Sequence, residues 1–279
     1  MAVNLAEKYA SKVDERFKLK SLTESFINRD YSWDGVKTIH VYSIPTVSLN
    51  NYDRTAASNR YGTPAELDDT VADYTLSQDK SFTFIIDKGN NVDQMNVKGA
   101  GKALQREIDE VIVPTKDAYR LNKIAAGAVA NGGYASASIS AANAYSKFLD
   151  GQKYLDNNKV PLAGRVAAVS ATFYTYIKQD STFIKSGDMS QKMLVNGQVG
   201  EIDGVKLIKV PDSYLPTNCA FIITHPSVTV AADKLAEYKV HDNPPGINGN
   251  LVEGRVYYDA FVLDAKKKGA YAHFTSGSM

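Results

Sequence analysis

The side chains of this sequence that could do chemistry are few and scattered. Four histidines, His40, His225, His241 and His273, stand alone, and none has a Cys, His or carboxylate partner at metal-ligand spacing. His40 and His273 fall in segments that read as strands, where a hydrogen-bonded structural role is the ordinary one. The single cysteine, Cys219, begins the apolar run 219–223 and reads as a small buried hydrophobe. No Gly-x-Ser-x-Gly elbow is present. The stretch Lys98, Gly99, Ala100, Gly101, Lys102, Ala103 opens a helix and is similar to the end of a phosphate-binding loop. That motif needs glycine where Asn96 stands, and a magnesium-holding Ser or Thr where Ala103 stands. Lys266, Lys267 and Lys268 read as a solvated turn, with a nucleic-acid contact as the alternative. These residues nominate no catalytic group, no cofactor site and no metal site.

Composition bounds what remains. The chain has 279 residues, 44% of them hydrophobic and 23% charged, enough apolar material for a core in one large domain or two smaller ones. A net charge of +1 gives no reason to expect nucleic-acid binding by the whole surface, so any such binding comes from a local patch. No segment reaches the ~20 apolar residues of a membrane span, and residues 1–8 do not read as a secretory signal. A soluble chain made in a reducing cytoplasm is expected.

The elements that would position any site read as follows. Residues 4–28 predict an amphipathic helix, with Leu5, Tyr9, Val13 and Phe17 at helical spacing. Residues 36–44 predict a strand ended by Pro45, and 81–87 a half-buried strand in which Phe82, Phe84 and Ile86 alternate with their neighbours. Between them, 46–80 is mostly polar and shows no convincing helix. A loop of that length suits an excursion that leaves the domain and lies on a neighbour. Residues 91–130 predict a long helix with Leu104, Ile108, Val111, Thr115, Ala118 and Ala125 on one face and a kink or a new segment at Pro114. After the break at Asn131, Gly132 and Gly133, helix and strand alternate. Helices are expected over 140–157, 171–178 and 227–238, and strands over 165–170, 220–224, 255–264 and 269–274. A hairpin over 197–210 turns at Asp203-Gly204.

This order of parts resembles the tailed-phage major capsid protein of the Hong Kong 97-type fold. The run 107–124, from Glu107 through Pro114 to Ile124, resembles that family's spine helix. Val160, Pro161, Gly164, Arg165, Ala168, Val169, Ser170, Phe173 and Tyr174 are similar to its axial-domain strand and helix. Residues 199–204 resemble the hairpin that follows, and 256–265 the closing strand. The resemblance implies an α+β fold with an N-terminal arm (1–35), an extended loop with flanking strands (36–90), a spine helix of the peripheral domain (91–130) and an axial domain (131–250). Closing strands of the peripheral domain and a tail (251–279) complete it. It implies no enzyme but a major capsid protein that assembles into pentamers and hexamers of an icosahedral shell around double-stranded DNA. Assembly would take place in the bacterial cytoplasm, and the protein would end in the virion. Its partners would be other copies of itself, a portal protein, weakly held DNA and a separate scaffolding protein, since little sequence precedes the arm. The family's namesake locks its shell with isopeptide bonds from a loop lysine. No lysine occurs between Lys37 and Lys80 here, so that lock is not expected.

Charge suggests how such a loop would be held. Its distal part carries Glu66, Asp68, Asp69 and Asp73, while Arg54 and Arg60 lie earlier. A cationic partner surface is offered by Arg106, Lys116 and Arg120 on the spine helix of an adjacent copy. Two other readings stay open. One is an encapsulin-type compartment of the same fold, which a neighbouring cargo-enzyme gene would favour. The other is a small-molecule enzyme built on 140–264, which a monomeric elution profile would favour.

Overall fold

The computed structural model describes residues 21–31, 37–93, 99–180 and 200–277. The chain divides into two compact units, one of residues 33–76 and one of residues 1–32 with 77–279.

The larger unit is organised on a six-stranded sheet. Its strands are β4 (Tyr134–Ser136), β5 (Val166–Ser170), β6 (Glu201–Ile202), β7 (Val205–Val210), β8 (Cys219–Thr224) and β11 (Ala270–Phe274), in the order β4-β11-β8-β5-β7-β6. β5 pairs β7 and β11 pairs β4 in parallel, while the other pairs are antiparallel. Both faces are covered, which is why β5 and β8 read as continuous apolar runs. On one face Leu121, Ile124, Ala125 and Ala128 of helix α3 (Val113–Ala130) pack with Phe26, Ile222, Ala272 and Phe274. On the other, Phe148 of α4 (Ala144–Asn157) and Phe173 of α5 (Ala171–Gln179) pack with Phe221, Ile223 and Tyr271. Ser170 caps α5 by accepting from the Phe173 amide at 3.0 Å. The β6–β7 turn is made at Asp203 and Gly204, with φ of 50° and 76°. Helices 140–157 and 171–178, strands 165–170, 220–224 and 269–274, and the described part of the 197–210 hairpin therefore stand as the sequence predicts.

A second, three-stranded sheet in this unit has the order β3-β10-β9, from β3 (Gln78–Asp87), β9 (Thr229–Asp242) and β10 (Gly249–Val262). Here the sequence misleads. Residues 227–238, expected as a helix, form a short 3-10 turn (Pro226–Val228) and then β9. The register of β9 shifts between Tyr257 and Tyr258, which face Leu235 and Asp233, so Lys234 is an extra residue in a bulge. The bulge breaks the period of two, and Val228, Ala231, Ala232 and Leu235 then fall at helix-like intervals.

Helix 91–130 is also differently built. It comprises α1 (Lys88–Asp93), α2 (Ala100–Glu107), a π turn (Ile108–Ile112) and α3, the residues 94–98 lying outside those described. Of the two outcomes expected at Pro114, the new segment is found: α3 begins at Val113 after this wider turn, which is closed by the Val113 amide on the Ile108 carbonyl. Widening the turn relieves the clash between a proline ring and the carbonyl four residues back. It also adds a residue to the period, so the buried face passes through Ile112, Leu121 and Ile124, while Val111 and Thr115 are exposed. Of the N-terminal helix expected over 4–28, residues 4–20 lie outside those described. Residues 21–28 hold only a 3-10 turn (Glu24–Phe26) and a bridge from Asn28 to Val230.

The smaller unit is a hairpin of β1 (Thr38–Ser43) and β2 (Thr70–Thr75), paired antiparallel from Thr38–Thr75 to Ser43–Thr70. The segment 46–80, in which the sequence shows no convincing helix, contributes β2 and the start of β3.

Candidate assembly interface

The hairpin unit builds its polar features locally. His40 and Asp73 are directly opposed across β1 and β2, with His40 Nδ1 2.5 Å from Asp73 Oδ1. Asp53 closes the loop by accepting from the Thr55 amide, the Thr55 hydroxyl and the Ala56 amide, and the Thr55 hydroxyl holds its carboxyl below the usual range. Its own amide donates to the Arg60 carbonyl at 3.0 Å, and Tyr52 meets Tyr61 edge-on with ring centroids 4.9 Å apart. Among the described residues of this unit only Tyr74 and Leu76 are buried hydrophobics. Of fourteen large hydrophobic side chains exposed among the described residues, eight belong to it: Tyr42, Ile44, Val47, Leu49, Tyr52, Tyr61, Leu67 and Val71. Leu49 is 101% exposed. Glu66, Asp68 and Asp69 are exposed and make no ion pair among the described residues, whereas Asp73 already faces His40.

In the larger unit, the cations read from the sequence are engaged within the chain. Arg106 donates to Glu110 at 2.9 Å, one helical turn away. Lys116 Nζ is 2.5 Å from Asp233 Oδ1. Arg120 is 3% exposed and donates to Thr23 Oγ1 at 3.1 Å, Glu24 Oε1 at 3.0 Å and Asp233 Oδ2 at 3.3 Å. The structure therefore brings Lys116 and Arg120 together, but around Asp233 and Glu24. The β9 bulge makes this possible, because it turns Asp233, rather than Lys234, to the face of β10 that carries Val256 and Tyr258.

Three carboxylates, Asp117 and Asp259 buried and Asp233 exposed, escaped the sequence reading. Asp117, 1% exposed, accepts from the Ser21 hydroxyl, the Leu22 amide and the Thr23 hydroxyl, at 2.8, 2.8 and 2.5 Å. With Arg120 it clamps residues 21–24 to α3. Asp233 joins β9 to the same helix. Asp259 accepts from the Ser77 amide and hydroxyl at 2.8 and 2.7 Å, and from the Tyr119 hydroxyl at 2.7 Å. Burial pushes the Tyr119 phenol up, so it stays a donor. No sequence signal marks these residues, since each partner lies far along the chain. Beside this region an apolar cleft of about 220 Å³ opens between Phe82, Val111, Ile112, Val256 and Tyr258.

No protein-family model matches the sequence, and no curated protein is similar to it. Solved structures do match along nearly its whole length. One from Mycobacterium phage Che8 aligns at a TM-score of 0.73 with 17% identity, covering 99% of this chain and 98% of that one. A subunit of the bacteriophage PhiM1 mature capsid aligns at 0.75 with 11% identity, covering 97% and 91%. The capsid structure of cyanophage P-SCSP1u aligns at 0.75 with 13% identity, covering 99% and 94%.

The chain has the phage capsid fold.

The exposed hydrophobics of the hairpin form apolar surface left uncovered in the single chain. The buried Cys219, whose thiol burial pushes up to about 12, is a packing residue of the six-stranded sheet. Among the described residues, no group of three or more His, Cys, Asp or Glu is placed to hold a metal ion.

Proposed function

We propose that this chain is the major capsid protein of a tailed phage, whose copies form pentamers and hexamers of an icosahedral shell around double-stranded DNA. The observation that carries the proposal is the hairpin unit, 44 residues that expose eight large hydrophobic side chains and present three carboxylates without an ion pair among the described residues. A two-stranded hairpin is marginal alone. The match to phage capsid folds supplies the natural partner, a neighbouring copy. In this reading the unit is the extended loop, and its apolar side chains cover surface such as the Phe82–Val111–Tyr258 cleft of the next subunit. Glu66, Asp68 and Asp69 then face cations of that neighbour. Residues 21–31 end the N-terminal arm, α2 and α3 form the spine, the three-stranded sheet belongs to the peripheral domain and the six-stranded sheet is the axial domain. Scaffolding and portal proteins act as separate partners.

The test is to replace residues 46–68 with a short Gly-Ser turn, which keeps β1 and β2. The variant should keep the circular dichroism and cooperative unfolding of the parent yet form no shells in negative stain. Shells from the variant would overturn the role given to the loop. A parent chain that stays monomeric at high concentration, with and without its scaffolding partner, would overturn the capsid reading itself.

A further inference from the structure

We infer that a lysine-lined cleft of the larger unit binds the phosphate backbone of duplex DNA through Lys159, Lys266, Lys267 and Lys268. The cleft is about 630 Å³ and lies between residues 158–161, the 3-10 turn at Pro226–Val228 and the 3-10 turn at Asp264–Gly269. Four lysines line it against one carboxylate, Asp264. All four are exposed, and none makes an ion pair or side-chain hydrogen bond among the described residues. This sets them apart from Arg106, Lys116, Arg120 and Arg165, whose charges are met inside the chain.

The walls are held in place before any ligand arrives. Arg165 is 1% exposed and donates to the carbonyls of Val160 at 2.6 Å and Pro161 at 3.0 Å, and to Asp156 at 2.6 Å, which fixes the loop bearing Lys159. The Leu263 amide donates to Val228 and the His225 amide to Gly269, which ties the lysine turn to the third wall. Three successive residues of a 3-10 turn point about 120° apart, so the three ammonium groups diverge instead of converging on one small anion. Ammonium groups meet phosphates as point charges, without the planar fork that arginine brings, so the contact reads no base sequence. Lysine is depleted at the cores of protein–protein interfaces and favoured at phosphates, which selects a nucleic acid over an acidic protein segment.

The identity of this ligand rests on the shell reading, but its test does not require a shell. The purified full-length chain is titrated into a labelled 30-bp duplex of mixed sequence, by fluorescence anisotropy, from 50 to 200 mM NaCl. A log–log salt slope of about −3 is expected for three to four phosphate contacts. The triple variant Lys266→Gln, Lys267→Gln, Lys268→Gln should bind at least tenfold more weakly at 50 mM with a slope near −1, while the triple Lys→Arg variant keeps both. An unchanged affinity and slope in the Gln variant would overturn the inference, as would absence of binding by the parent. A Gln variant that loses shell formation but keeps its DNA affinity would overturn it too, and assign the cleft to an acidic protein segment such as residues 66–69 of another copy. Failure of the shell reading shows separately, as particles missing from negative stain of the parent.

Discussion

Strands β8 and β1 are both six residues long, yet every residue of β8 is buried and none of β1 is. β8 has a strand on each edge and helices over each face. β1 has one strand partner. The difference separates two sources of stability. The six-stranded sheet removes its apolar surface from water within one copy, at roughly 25 cal/mol per Å². The hairpin leaves that gain unrealised, to be collected only when something covers it.

The sharpest way to break this contrast is at Phe221. Its ring lies 4.6 Å from Phe173, 5.5 Å from Phe148 and 5.2 Å from His273, centroid to centroid. Phe221→Ala should cost about 3–5 kcal/mol in denaturant unfolding of the unassembled chain. A loss below about 1 kcal/mol would mean that this sheet is not where the single copy keeps its stability.

A smaller effect comes from His273, fully buried against Phe221, with Nε2 at 3.0 Å from the Ala137 carbonyl. Burial lowers its pKa below 6.5. Below that value the unfolded chain takes up a proton that the native chain refuses, so stability falls as pH drops toward the native pKa, by at most about 1.4 kcal/mol per pH unit. His273→Gln should flatten this part of the pH profile. Parent and variant profiles of equal slope below pH 6.5 would show that the ring is not held neutral.

The smallest effect is expected in the hairpin. A double-mutant cycle of His40→Ala and Asp73→Ala should give a coupling of about 0.2–1 kcal/mol, screened by salt, read from amide exchange in β1. A coupling well above that range would sharpen the comparison in the other direction and make the hairpin a unit with stability of its own.

The same contrast explains what the sequence made legible. β5, β8, β11, α4 and α5 were readable because burial on known faces leaves apolar runs or helical stripes. β2, from Thr70 to Thr75, was not. Its partner strand lies about thirty residues away, and only Tyr74 of its six residues is buried, which leaves too short an alternation to read. β9 was missed for the opposite reason, since one inserted residue, Lys234, erased a period that burial had written. At the candidate interface, Glu66, Asp68, Asp69, Arg106, Lys116 and Arg120 were visible as charges. Arg120 was then found buried against Glu24 and Asp233, because a sequence shows that a charge exists and not what lies across from it. Asp117 and Asp259 left no trace for the same reason.

The bulge at Lys234 has a consequence for how the β9–β10 ribbon can vary. It divides β9 into two phases. Residues 229–233 are keyed to α3 through Asp233, while residues 235–242 pair with β10 and reach Phe82 of β3 through Tyr238. Whole pairs of residues added or removed beyond the bulge would lengthen or shorten the ribbon toward its turn at 243–248 without rotating Asp233 away from Lys116 and Arg120. The ribbon's reach is thereby uncoupled from its anchorage, so the distance it spans can drift while the ionic junction at its root stays in register.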